Sequence, residues 1–70
     1  MRMIKDVTEL KKGDSIIVKD NPSFVSLGFK SIRGDIFTIE PGKLHFTIRC
    51  KETDKLEQIS LEEGVIFLID

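Results

Sequence analysis

Residues 44–51, LHFTIRCK, constrain the fold more than any other stretch. Leu44, Phe46, Ile48 and Cys50 alternate with His45, Thr47, Arg49 and Lys51. Successive side chains of a strand point to opposite faces, so this period of two describes a strand with one buried and one wet face. Composition points the same way. The apolar mass is ten isoleucines, six leucines, four valines and five phenylalanines, with no alanine, tryptophan or tyrosine. Alanine favours helices, whereas isoleucine, valine and phenylalanine suit strands. The chain reads as all-β.

Other segments extend the pattern. Residues 15–20, SIIVKD, predict a strand with Ile16 and Val18 on one face. Residues 31–40, SIRGDIFTIE, predict another, with Gly34 marking a bulge or bend. Glu40-Pro41-Gly42-Lys43 fits a type II turn. Residues 56–60, LEQIS, predict a short strand. Residues 65–69, VIFLI, predict a last one, buried on both faces or paired mid-barrel. Residues 6–14 read as one helical turn, with Val7 and Leu10 on one side and Gly13 as its stop. Ser60 and Glu63 have capping-box spacing, so a second tight helical turn is expected there, stopped by Gly64.

The 31–51 hairpin holds a register conflict. A two-residue loop at Pro41-Gly42 pairs Ile39 with Leu44 and Phe37 with Phe46, but leaves Ile32 and Ile36 opposite Lys51 and Thr47. A shift by one places Ile36 opposite Phe46 and exposes Phe37. A strand bent at Gly34 would reconcile the two.

Size and chemistry narrow the function. Seventy residues make a single domain, 1–70, and a chain of this size buries only about 60% of its unfolded surface. One cysteine allows no intramolecular disulfide, and one histidine allows no Cys/His metal cage. His45 and Cys50 are five apart on one strand, hence on opposite faces, and cannot form a nucleophile–base pair. Cys50 lies in the apolar register and reads as a small buried hydrophobe. No glycine-rich phosphate loop is present. A non-enzyme without cofactor or metal is expected. No apolar run approaches the ~18 residues of a membrane span, and the opening MRMIKD lacks a secretory apolar core. A cytoplasmic location is expected. Abundant isoleucine and lysine without alanine match an AT-rich genome, as in a low-GC bacterium or its phages.

Two stretches resemble a known superfamily. ELKKGDSIIV, residues 9–18, resembles the lead-in of SH3-like barrels, where a leucine and a Gly-Asp precede a β-branched first strand. ISLEEGV, residues 59–65, resembles their closing element. The likeness spans nearly the whole chain as a pattern. It implies a five-stranded SH3-like small barrel, with one helical turn near the N-terminus and one before the last strand. The Sm-like barrel is a neighbour: RGDIFTI, residues 33–39, resembles its second strand, although its long N-terminal helix is missing. Either likeness implies a binding module and leaves the partner open. The tyrosine- and tryptophan-lined groove that takes proline-rich peptides is absent. The basic, glycine-rich RNA-binding loop usual in translation-associated members is replaced by an apolar one.

That apolar loop is the first candidate surface. NPSFVSLGFKS, residues 21–31, has loop punctuation but carries Phe24, Val25, Leu27 and Phe29. Exposed, these four would form a patch that monomers avoid. They could bind a partner, be buried in a homodimer, or fold over the barrel end with Phe24 and Phe29 as plugs. The leading expectation is a protein-interaction module, such as a small phage or mobile-element factor that binds and modulates a host protein.

The second candidate is the wet face of the 31–51 hairpin. Residues 1–51 carry ten Lys/Arg against six Asp/Glu, a net +4, while residues 52–70 carry one against six, a net −5. Lys30, Arg33, Arg49 and Lys51 would attract phosphates, and Phe37 could stack on a base. This is the pattern of RNA or single-stranded DNA binding, although a merely solvated sheet face is the plainer reading of the same residues.

Overall fold

A computed structural model describes residues 1–69 of the chain. The all-β expectation holds at the level of class. Six strands form one antiparallel sheet: β1 (Arg2–Met3), β2 (Ser15–Lys19), β3 (Ser31–Ile39), β4 (His45–Cys50), β5 (Lys55–Ser60) and β6 (Val65–Ile69). Their order across the sheet is β1-β6-β2-β3-β4-β5.

Two expectations are corrected. There are six strands, not five, because Arg2 and Met3 pair with Leu68 and Phe67. The sheet also does not close, since the outer strands β1 and β5 are not bonded to each other. The reason is local: β1 is only two residues long, and Asp6 already caps the next turn.

The core lies on one face of the sheet. Ile16, Val18, Ile32, Ile36, Phe46, Ile48, Cys50, Ile59 and Ile66 are buried there. Ile4, Val7, Leu10 and Phe24 join them from outside the strands. Cys50 is a free, buried thiol.

The first helical turn is a 3-10 turn, Val7–Glu9, and it ends at Leu10, ahead of Gly13. Its cap is reciprocal. The Thr8 N–H donates to Asp6 Oδ1 at 2.9 Å, and the Asp6 N–H donates to Glu9 Oε2 at 3.0 Å. The second expected helical turn is absent. Ser60 is the last residue of β5, its Oγ accepts from the Glu62 N–H at 3.1 Å, and residues 61–64 form a turn. Serine caps turns as readily as helices, and here Leu61, Glu62 and Glu63 close a turn before Gly64 instead. Gly64 has a different duty. At φ +85° it lies so close to β2 that a Cβ there would sit 2.4 Å from the Lys19 carbonyl oxygen.

A helical turn appears where a loop was expected: α1, Pro22–Val25. Asn21 explains it. Its Oδ1 accepts from the Ser23 N–H at 3.0 Å, while Pro22 occupies the first helical position, which needs no N–H. Buried Asn21 also donates from Nδ2 to the Glu63 carbonyl at 3.4 Å, tying α1 to the β5–β6 turn.

The β3–β4 hairpin resolves the register conflict by a third route. Ile36 pairs with Ile48, Thr38 with Thr47 and Ile39 with Phe46, leaving Phe37 as an extra residue. Ile36 and Ile39 are three apart and would face opposite sides of a regular strand. The bulge turns both towards the core and leaves Phe37 outside. The bend expected at Gly34 is therefore at Phe37, and pairing runs unbroken through Gly34–Ile36. Gly34 is needed instead for close approach, because a Cβ there would come within 2.7 Å of the Arg49 carbonyl oxygen. The turn at residues 40–43 closes with the Lys43 N–H donating to the Glu40 carbonyl at 3.2 Å.

Candidate functional site

The 21–31 segment splits in two. Phe24 is buried in the core and Phe29 packs against it. Of the arrangements weighed for this segment, these two follow the one in which Phe24 and Phe29 fold inward, not the one in which all four form a contact surface. Helical spacing explains the division, since Phe24 faces the sheet while Val25 and the following turn face out. Val25 and Leu27 stay exposed, at 48% and 66%.

The outer face of the sheet, opposite the core, gathers cations. Arg33, Arg49 and Lys51 are all exposed. Lys51 lies opposite Arg33, its N–H donating to the Arg33 carbonyl at 2.8 Å. Arg49 is in the next row, opposite Asp35 and Leu56. Lys30 precedes β3 and lies with Lys19, Asp20 and Ser31 around a shallow depression, apart from Arg49 and Lys51.

Phe37 lies at one end of the basic group, beside Arg49 and Lys12. The bulge leaves it 37% exposed. Lys12 Nζ lies 5.6 Å from its ring centroid and Arg49 Cζ 5.9 Å. Both cations are within reach of the ring's negative face. Lys12 was not legible in the sequence as part of this site, because only the fold brings the 11–14 turn to β3, where the Gly13 N–H donates to the Ile36 carbonyl at 2.9 Å.

Carboxylates share this face. Asp35 is half-buried and accepts from the Ser15 hydroxyl at 2.7 Å. Glu52 Oε1 accepts from the Arg33 N–H at 2.8 Å. Both lower the local positive potential, and both are held by neighbours.

His45 and Cys50 lie on opposite faces, with Cys50 in the core. Among the described residues no cluster of three or more His, Cys, Asp or Glu could hold a metal, and no helix is long and apolar enough to cross a membrane. A separate groove of about 390 Å³ lies between the Val7–Glu9 turn and the 40–44 turn. Val7, Leu10, Ile39, Pro41 and Leu44 give it an apolar lining, and none of the residues expected to bind a partner reaches it.

Comparison with known protein families, curated proteins and solved structures returns no match.

Proposed function

We propose that the chain is a non-catalytic binding module of SH3-like kind with an open sheet, and that its outer sheet face holds single-stranded nucleic acid. The carrying observation is Phe37, extruded by the bulge and flanked by Lys12 and Arg49. When Lys12 or Arg49 swings from the ring to a phosphate, the ring is freed to stack on a base, and this exchange suits sequence-tolerant binding of single strands. Arg33 and Lys51 extend the cationic track. The net charge of −1 is unevenly spread, and on this face the carboxylates of Asp35 and Glu52 are each held by a neighbour's hydrogen bond.

The test is fluorescence anisotropy with labelled single-stranded DNA and RNA at low salt. Wild type should bind, and Phe37→Ala should weaken binding by about tenfold, the usual value of one stacked base. No binding of either nucleic acid at low salt defeats the reading.

A second reading is favoured by the exposure of Val25 and Leu27 at the tip of α1. In it, this tip contacts a protein partner or a second copy of the chain. A V25S/L27S variant should then lose a partner retained by wild type in a pull-down from host extract, or lose self-association in light scattering.

A further inference from the structure

The outer face carries a second ring, half-buried, with one lysine over it. Phe67 on β6 lies between Met3 and Ile17, and Ile17 pairs onward with Arg33. Lys19 Nζ sits 5.6 Å from the Phe67 centroid, the distance at which Lys12 sits over Phe37. Two phenylalanine–lysine pairs therefore face the same side of one sheet. Their separation follows from sheet geometry. Phe67 is two strands from Arg33, about 10 Å, and Phe37 is four residues further along β3, about 13 Å. The rings are thus about 16 Å apart on a diagonal that crosses β2 at Ser15. That is too far for one base to touch both.

We propose that Phe37 and Phe67 are two stacking platforms for one single strand of nucleic acid, which crosses β2 diagonally between them. Its phosphates face Lys19, Arg33 and Arg49. This rests on the nucleic-acid reading above and adds the path and the minimum length of the ligand. A strand that engages both rings needs about four nucleotides or more, within the range of known small-barrel sites. Asp35 lies beside this path, with its carboxylate held by Ser15. It repels the proposed phosphates, so removing its charge should tighten binding.

The experiment titrates wild type with labelled oligothymidylates and oligouridylates of about two, four, six and eight nucleotides. Affinity should rise steeply up to about four to six nucleotides and level off beyond. Phe67→Leu keeps apolar bulk against Met3 and Ile17 but removes the π-face. It should weaken the longest oligomer by about tenfold, leave the shortest unaffected, and keep the wild-type urea midpoint. Asp35→Asn should strengthen binding of the longest. Comparing the two oligomer series tells whether DNA or RNA is the better source of the strand. If the longest oligomer binds wild type and Phe67→Leu equally, the two-platform path is overturned while the Phe37 site stands. If no oligomer binds wild type, the underlying reading falls with it.

Discussion

Phe24 and Leu27 are three residues apart and have opposite duties. Phe24 fills the core beside the sheet, whereas Leu27 is 66% exposed. Replacing Phe24 with serine should cost about 3–5 kcal/mol, as other large-to-small changes at buried aromatics do. In a domain of marginal stability that amounts to unfolding. Leu27→Ser should stay within about 0.5 kcal/mol of wild type. Urea denaturation of the two variants side by side checks this. Equal stabilities would mean that α1 does not pack as described. The sequence offered an inward Phe24 and Phe29 as one alternative without selecting it, because nothing in NPSFVSLGFKS declares a helical period over so few residues. Asn21-Pro22 was the available signal, an N-cap followed by a first-position proline.

Asp6 offers a pH test at the same scale. The Thr8 backbone N–H, and then its hydroxyl, hold the Asp6 carboxyl below its ordinary 3.8. A carboxyl depressed in the folded state adds stability above its unfolded value, and that contribution is lost as pH falls through the lower folded value. Asp6→Asn keeps an acceptor for the cap but cannot titrate. Its stability should therefore fall less steeply than that of wild type between about pH 5 and pH 2. Identical acid limbs in urea titrations would remove Asp6 from the list of groups that set acid stability.

At the scale of elements, the β3 bulge carries the argument. It solves a problem visible in the sequence, where Ile36 and Ile39 both need the core but have the wrong spacing for one strand face. Deleting Phe37 leaves Ile36, Thr38 and Ile39 in regular alternation opposite Ile48, Thr47 and Phe46, the pairs already present. The deletion should therefore fold, with stability within about 1 kcal/mol of wild type. It should also lose the nucleic-acid affinity that depends on the ring. A bulge kept for packing alone predicts the reverse, a strongly destabilised deletion. Circular dichroism with urea denaturation decides between them. The alternation in residues 44–51 made β4 legible without ambiguity. β3 was legible as a strand but not in its register, because register depends on which pairs gain most burial across the hairpin. The turn after β5 was misread for a related reason. Ser60 and Glu63 have helix-start spacing, yet Gly64 is there to let the chain pass close to Lys19.

At the scale of the molecule, the sheet has a sided charge distribution that neither the net charge nor the linear sequence displays. Lys12, Lys19, Arg33 and Arg49 come from three separate stretches, and strand order β6-β2-β3-β4 places them over one surface. The sequence displayed Arg33, Arg49 and Lys51 because they lie on one hairpin. It hid Lys19 and Phe67 because β2 and β6 are neighbours only in three dimensions. If these cations meet phosphates, binding must release counterions. Single strands give a slope of about −0.7 in log K against log salt per neutralised phosphate, so about four contacts predict a slope near −3. Titrations of the longest oligomer at several salt concentrations measure it. Arg49→Gln should reduce the magnitude of the slope by about 0.7, the share of one contact. Lys43→Gln, on the turn away from the outer face, should leave it unchanged. A slope near zero would mean that whatever binds this face is not held by its phosphates, and attention would pass to the exposed tip at Val25 and Leu27.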